Sequence, residues 1–507
     1  MERNAIGVVM RKELKAQAAV ISHIDPPLQG PTGGPLYVDM DGTLLATDAL
    51  WELFVRLVKS EPVLLLQVPL WLMRGKAFFK RKLASHISLN PALLPYHEPV
   101  IAFLTRERQK GREIILATAS DQQVAESVAR YVGLFTAVLA SDGTVNLAGH
   151  AKLSAIQQHA NGVAFDYVGN SRTDLAIWEH ASRAILVQPS RSTLRKAGQT
   201  SSIDAVLCPR PPFLSVFLRT LRVHQWSKNA LLVVPLLLAH KVSDPARLIS
   251  AMLAFIAFSL AASGVYIVND LLDLENDRQH PTKRSRPLAA GLLPIPFAIA
   301  TAALAIVLSF GIAGVLLPPL FVGMLLLYQV TTMAYSFVLK RIAVLDVFVL
   351  AGLYTMRVLA GAVAVDVPAS PWFLAFSTFL FLSLALVKRY AELQLAEQNG
   401  GTEGFLAARG YQPGDLDLLS SVGTASGYVA VAVFALYINS SDVHVLYRRP
   451  AVLWLIAPLI LYWITRVWLL AHRGRMHSDP VVFAFTDRTS YVLAALVAML
   501  LVVASLT

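Results

Sequence analysis

Cys208-Pro209-Arg210-Pro211-Pro212 divides the 507-residue chain into two unlike parts. Three prolines in four positions cannot continue a helix or a central strand, so the run reads as a stiff, extended connection, with its approach a linker over 201–212. Before it the sequence is an ordinary mixture; most of the apolar excess follows Pro211. The whole chain is 55% hydrophobic and 15% charged, where soluble proteins carry roughly 25% charged residues. That excludes disorder and a fully water-soluble globule. The single cysteine excludes a disulfide framework and any CxxC site. A net charge of +11 would suit an anionic partner, but cationic cytoplasmic loops of a membrane protein produce the same balance. No aromatic-and-basic motif asks for a nucleic-acid partner. The expectation is a soluble head, residues 36–200, and a membrane body, residues 213–507.

Upstream of the linker, residues 1–35 lack a continuous apolar h-region and end in a Gly- and Pro-rich turn, so they read as a flexible leader that leaves the head in the cytoplasm. From Leu36 the pattern alternates. Leu36–Val38, Ile114–Ala117, Tyr167–Val168 and Ala184–Val187 are short apolar runs ending in polar loops, with helical stretches such as Gln122–Val132 between them. This predicts an α/β doubly wound parallel sheet with chemistry beyond the carboxyl ends of its strands. Asp39-Met40-Asp41-Gly42-Thr43-Leu44 follows the first strand. One carboxylate there can attack phosphorus while the other shuttles a proton to the leaving oxygen; a helix-capping Asx turn is the plainer alternative. Thr118 ends the second strand with a hydroxyl for a phosphate, Lys152 precedes a helix with a charge to neutralise one, and Gly169-Asn170-Ser171-Arg172-Thr173-Asp174 offers oxygen ligands suited to Mg²⁺.

These four segments resemble the haloacid dehalogenase superfamily of phosphohydrolases. The resemblance implies Asp39 as nucleophile, Asp41 as general acid/base, Thr118 and Lys152 as phosphoryl binders, and Asp39, Asp41, Asn170 and Asp174 around Mg²⁺. Asn170 departs from the family's usual Asp and removes one charge. A helical insertion over about 48–97 stands where such enzymes carry a small cap. Its segment Pro62–Trp71 is too short and Pro-broken to span a bilayer. With Lys76, Lys80, Arg81 and Lys82 beside it, it either rests on an anionic membrane surface or forms a core helix under the cap.

Downstream, nine apolar stretches fall near 229–240, 247–268, 297–315, 318–337, 343–364, 371–387, 423–438, 451–471 and 490–506, the first short unless it begins nearer Phe213. With the head inside, cytoplasmic loops hold Arg278, Lys283, Arg284, Arg286, Lys340, Arg341, Lys388, Arg389, Arg409, Arg473, Arg475 and Arg488, against Lys241, Arg247, Arg448 and Arg449 outside. That asymmetry predicts a multi-pass protein of the cytoplasmic (inner) membrane with its head in the cytoplasm. The long loop after the second stretch reads Asn269-Asp270-Leu271-Leu272-Asp273-Leu274-Glu275-Asn276-Asp277. Asn269, Asp273 and Asp277, four apart, share a face on a continued helix and can hold Mg²⁺ and, through it, a diphosphate. His280, Lys283 and Arg286 add positive charge.

This run resembles the NDxxDxxxD motif of the UbiA-type intramembrane prenyltransferases, an all-α polytopic fold of about nine transmembrane helices. Their second acidic motif, DxxxD, is missing after residue 277. At the corresponding loop stands Lys388-Arg389-Tyr390-Ala391-Glu392-Leu393, and a basic cluster binds phosphate without a metal. That run, with His280–Pro287, Leu345-Asp346-Val347, Arg357, Asp479–Ala484 and Asp487-Arg488, is similar to the branch that moves 5-phosphoribose from phosphoribosyl pyrophosphate to polyprenyl (decaprenyl) phosphate. The resemblance implies Asn269, Asp270, Asp273 and Asp277 around Mg²⁺ and pyrophosphate. It implies His280, Lys283, Arg286, Lys388, Arg389, Tyr390, Glu392 and Lys228 around donor and acceptor. Asp346 and Arg357 are either substrate ligands or a structural pair. The combined expectation is a bifunctional enzyme whose head dephosphorylates the lipid-linked product. The alternative is an aromatic, 4-hydroxybenzoate-type polyprenyltransferase with a regulatory or unrelated phosphatase domain. A transporter fits least, because the charged sites gather at one membrane face.

Overall fold

The computed structural model describes residues 34–398, 409–440, 443, 446–476, 479–484 and 486–506, so the proposed leader lies almost wholly outside the described residues. The chain forms two compact units, residues up to Leu53 with Glu61–Arg210, and Phe54–Ser60 with Pro211–Thr507.

The first unit is built on a six-stranded sheet: β1 (Leu36–Val38), β2 (Ile114–Asp121), β3 (Ala137–Ser141), β4 (Asp166–Gly169), β5 (Arg183–Val187) and β6 (Ile203–Leu207), in the order β3-β2-β1-β4-β5-β6 with every pair parallel. Leu36, Tyr37 and Val38 are all fully buried, as a central strand covered on both faces requires. Tyr37, Ile115, Tyr167, Ile177, Trp178 and Leu186 make one core layer. The Gln122–Val132 helix starts where expected, because Asp121 accepts from the Gln123 amide and Gly133, at φ +70°, ends it. The winding reverses between β1 and β4, which brings the carboxyl ends of β2, β1 and β4 side by side.

Two expectations change here. The linker begins later than residue 201: Ile203-Asp204-Ala205-Val206-Leu207 pairs with β5 as an edge strand, leaving Cys208–Pro212 as the connection. Nothing before Pro209 blocks a strand. In the insertion, Pro62–Gln67 buries no residue and Val68–Met73 buries only Trp71. That segment is therefore no core helix, and its apolar side chains face outward.

The second unit is helical. Among the described residues, eight of its helices are long and apolar enough to cross a membrane: Pro245–Leu272, Ile295–Leu316, Pro319–Phe337, Leu345–Ala364, Pro371–Gln398, Leu416–Ile438, Pro450–His472 and Arg488–Ser505. The expected first span at 229–240 is not among them. Phe213–Thr220, a 3₁₀ stretch Val223–Leu232 and Val234–Leu238 follow one another, with Arg222 at φ +52° between the first two. Polar His224, Gln225, Ser227, Lys228 and Asn229, with Pro235 behind them, deny this segment a continuous apolar helix.

What satisfies its backbone and side chains is a polar stripe on Pro245–Leu272, where Ser259, Ser263, Tyr266 and Asp270 recur at helical spacing. The Asn229 amide donates to Ser259 Oγ at 3.0 Å, Trp226 Nε1 donates to Ser263 Oγ at 3.0 Å, and Ser263 donates to the Leu221 carbonyl at 2.7 Å. Arg222 lies over the Tyr266 ring at 5.1 Å and pairs with Asp270. Irregular backbone is tolerated at membrane depth where protein supplies the missing partners. Small residues close the packing: a Cβ at Gly361 would sit 2.1 Å from the Leu232 carbonyl oxygen.

Candidate active sites

In the head, Asp39 leaves the end of β1 as a buried residue, and the Lys152 ammonium donates to its Oδ1 at 2.8 Å. Lys152 also donates to Tyr167 Oη at 3.1 Å and lies 3.8 Å from Asp174 Oδ1. Asp41 accepts the Ala49 amide at 2.8 Å and the Ser120 hydroxyl at 2.5 Å. Thr118 is fully buried inside β2, which runs three residues further than expected, to Asp121, and its hydroxyl oxygen accepts the Ser120 amide at 3.1 Å. Burial pushes the Asp39 carboxyl up to about 7; Lys152 opposes the rise, and Asp174 and Asp41 add to it. Burial, then Asp48, pushes Asp41 up to about 6 against the hydrogen bonds of Ser120 and Ala49 and the charge of Lys80.

Asn170 and Asp174 do different work. At Gly42, with φ +74°, a Cβ would lie 2.0 Å from Asn170 Nδ2, so the Asn170 side chain rests on the Asp39–Gly42 turn. Asp174 turns inward instead. Its Oδ2 accepts the Asn170 amide, the Ser171 amide and the Ser171 hydroxyl, and its Oδ1 accepts Tyr167 Oη at 2.9 Å. Its Oδ2 is thus engaged in holding the loop that carries Asn170, and its Oδ1 is tied to Tyr167 on β4. Among the described residues, no three His, Cys, Asp or Glu side chains gather closely enough to hold a metal ion. Asp39, Asp41 and the Asn170 amide nonetheless suit Mg²⁺: an oxygen-only set whose two carboxyls resist ionisation because burial and like charges are under-compensated.

Sequence reading missed Ser120, Tyr167 and the inward role of Lys80, which donates to the Ala119 carbonyl at 2.6 Å and to Asn146 Oδ1 at 2.9 Å. Only the position of Ser120, two residues after Thr118, hinted at it.

In the helical unit the NDxxDxxxD run does not continue one straight helix. Pro245–Leu272 stops, Asp273 has φ −103° and ψ 14°, and Leu274–Gln279 resumes. Asn269 donates to Ser336 Oγ at 2.9 Å. Arg286 bridges Asp270 at 3.0 Å and Asp277 at 2.6 Å. Lys340 stands 3.9 Å from Asp273. Burial holds Lys283 and Lys340 below the usual lysine range although Asp277 and Asp273, respectively, pull the other way. Cations thus surround this acidic run. His280 is engaged locally, its Nδ1 3.2 Å from Thr282 Oγ1. The oxygens of Asn269, Asp273 and Asp277 suit Mg²⁺ by type.

A second cluster was not foreseen as a unit. Asp479 Oδ2 accepts Lys228 at 2.7 Å and Lys388 at 3.3 Å, and Tyr354 Oη donates to its two oxygens at 3.2 and 3.3 Å. Burial would raise this carboxyl, but Lys388 and Lys228 hold it below the usual range. Lys228 and Asp479 lie 251 positions apart, so no local pattern could pair them.

The Lys388–Glu392 run divides. Arg389 is buried, and both terminal nitrogens are taken, by Asp346 and by Glu392. Tyr411 completes Asp346 with a 2.6 Å hydrogen bond. Tyr390 meets His472 Nδ1 at 3.0 Å. Neighbours on a helix point about 100° apart, so Lys388 joins the Asp479 cluster while Arg389 is a buttress. Asp346 and Arg357 are not partners either. Arg357 donates to Asn229 Oδ1 at 2.9 Å, Tyr328 Oη at 2.8 Å and the Leu353 carbonyl at 2.6 Å.

Residues 230–487 match the UbiA prenyltransferase family, and residues 36–179 match the haloacid dehalogenase-like hydrolases. An uncharacterised protein of Sinorhizobium fredii, y4nM, is 39% identical over 93% of this chain and 91% of its own length. Nodulation protein NoeC of Azorhizobium caulinodans is 36% identical over 55% of this chain and 90% of its own. The decaprenyl-phosphate phosphoribosyltransferase of Mycobacterium tuberculosis is 41% identical over 39% of this chain and 67% of its own. A solved UbiA homolog from Archaeoglobus fulgidus, bound to GPP and Mg²⁺, aligns at 17% identity and a TM-score of 0.43, covering 57% of this chain and 99% of that one. With more than half of its residues inside the first of these matches, the chain belongs to the UbiA prenyltransferase family and carries a haloacid dehalogenase-like hydrolase domain ahead of it.

Proposed function

We propose that the helical unit transfers 5-phosphoribose from phosphoribosyl pyrophosphate to a polyprenyl phosphate, and that the head then removes the 5-phosphate. The observation that carries the first half is the Lys228–Asp479–Lys388 cluster, where a second acidic motif would otherwise serve a prenyl diphosphate. The likeness to the decaprenyl-phosphate phosphoribosyltransferases supports it. The lipid phosphate oxygen attacks C1 of the ribose and pyrophosphate departs. Lys228 and Lys388 hold the acceptor phosphate, and Arg286, Lys283 and Lys340 hold the departing pyrophosphate, so positioning and charge stabilisation do most of the catalysis. Mg²⁺ at Asn269, Asp273 and Asp277 would add charge neutralisation.

In the head, Asp39 attacks phosphorus, Asp41 protonates the departing ribosyl oxygen, and water then releases phosphate from the aspartyl phosphate. Lys152 keeps Asp39 oriented, and Thr118 binds the phosphoryl group. Mg²⁺ beside Asp39, Asp41 and Asn170 would neutralise phosphoryl charge. Asp174 acts as a positioning residue for Asn170 and Lys152.

The cytoplasmic (inner) membrane with a cytoplasmic head fits the loop charges. With eight long spans among the described residues, this reading has the broken Phe213–Leu238 segment supply the remaining crossing. The test is incubation of the purified protein with Mg²⁺, polyprenyl phosphate and phosphoribosyl pyrophosphate, the lipid product being read by mass. Lipid-linked phosphoribose or ribose supports the reading. Turnover only with a prenyl diphosphate and an aromatic acid overturns it.

A further inference from the structure

We propose that the head's insertion docks on an anionic lipid surface. Among Pro62–Met73, Val63 is 74% exposed, Leu66 80%, Leu70 62%, Leu72 49% and Met73 84%. So many large apolar side chains on one twelve-residue segment mark an interaction surface rather than the scatter normal on a soluble face. Trp71 is the exception and the anchor: it is buried and stacks on His86 of the Lys76–His86 helix, with ring centroids 5.7 Å apart. The apolar row is thereby held in place with its other side outward.

Charge selects the occupant. No Asp or Glu lies between Glu61 and Glu98, while Arg74, Lys76, Lys80, Arg81 and Lys82 all do. Two of these look inward, Lys80 to Ala119 and Asn146 and Arg81 to Asp121. Arg74, Lys76 and Lys82 remain exposed beside the apolar row, and Arg74 and Lys82 flank the Phe78 ring at 5.2 and 5.9 Å. An apolar strip with three exposed cations beside it, against the single carboxylate of Glu61 at its start, fits the acyl layer and phosphate headgroups of a bilayer. The chain's own spanning helices keep such a bilayer tethered to the head. A second copy of the chain would bring the same cations against each other.

This inference does not rest on the phosphatase reading, because its first measurement is structural. In the full-length chain with Cys208→Ser, one cysteine is placed by Met73→Cys, or by Val163→Cys, which is 55% exposed elsewhere on the head. Each is labelled with an environment-sensitive dye and reconstituted in phosphatidylcholine–phosphatidylglycerol vesicles carrying a nitroxide in the acyl region. The dye at 73 is expected to be quenched at least about threefold more than that at 163. The difference should shrink in phosphatidylcholine alone and in the Arg74→Glu/Lys76→Glu/Lys82→Glu variant. Equal quenching at 73 and 163 overturns the proposal. So does energy transfer between differently labelled chains at 73 without nitroxide quenching, which would assign the surface to self-association. As a second readout, Leu66→Ser/Leu70→Ser/Met73→Ser should lower turnover of a vesicle-borne phosphate ester while leaving turnover of p-nitrophenyl phosphate unchanged. Equal losses on both would contradict docking.

Discussion

The two sites are built with opposite imbalances of charge. In the head, Asp39, Asp41 and Asp174 surround one buried ammonium, Lys152, and burial pushes Asp39 and Asp41 up to about 7 and about 6. In the helical unit the surplus is positive. Lys228 and Lys388 share Asp479, Arg222 and Arg286 share Asp270, and Lys283 is held below its usual range. The first arrangement is relieved by a cation, the second by phosphate anions. The carboxylates alone do not distinguish the sites; their neutralising partners do.

The comparison breaks most visibly at Arg389. If it is a buttress, Arg389→Met leaves the Asp346 carboxylate buried with one partner fewer, at about 3–5 kcal/mol. The thermal midpoint of the detergent-solubilised protein should fall clearly, while turnover per folded molecule is retained. An unchanged midpoint with lost turnover would return Arg389 to the substrate site. Next in size is Lys388→Met, which removes a charged hydrogen-bond donor and should lower kcat/KM for polyprenyl phosphate by about 10–100-fold. Phosphate release by the head from p-nitrophenyl phosphate should not change. A loss in both activities would mean that the lysine supports folding.

The head's imbalance is read by pH. Folded Asp39 and Asp41 hold protons at pH values where unfolded carboxyls, ionising near 4, have lost them. The stability they contribute is present below about pH 4 and is lost as pH rises through about 6–7. In full-length protein with EDTA, amide protection of head peptides should therefore weaken from pH 5 to pH 8. Mg²⁺ should restore it, and Asp39→Asn should flatten the dependence. Protection that strengthens with pH would show the opposite balance. The smallest effect is at Asn170: Asn170→Asp should lower the Mg²⁺ concentration for half-maximal phosphate release several-fold, by restoring one ligand charge.

Local pattern was legible, and closure between distant segments was not. The ends of β1 and β4 could be read because each apolar run stops at a polar loop, and parallel winding brings them beside β2, whose polar last residues, Ser120 and Asp121, read as loop. β6 was lost to the linker because Ile203–Leu207 is short and broken by Asp204 on an exposed edge. Asp479 stood in a recognisable motif, but only folding carries it to Lys228 and Lys388. The alternative of an Asp346–Arg357 pair fails because shared hydrophobic surroundings are not contact: Asp346 is paired by Arg389 and Arg357 by Asn229 and Tyr328. The broken Phe213–Leu238 segment read as a short span because its partners, Ser259, Ser263 and Asp270, lie on the following helix.

The most direct measurement compares the parent with Asp39→Asn, each given Mg²⁺, polyprenyl phosphate and phosphoribosyl pyrophosphate, with the lipid product weighed by mass spectrometry. The account predicts lipid-linked ribose and free phosphate from the parent, and lipid-linked 5-phosphoribose at an undiminished rate from Asp39→Asn. The same product from both, with phosphate released as fast by the variant, would contradict it.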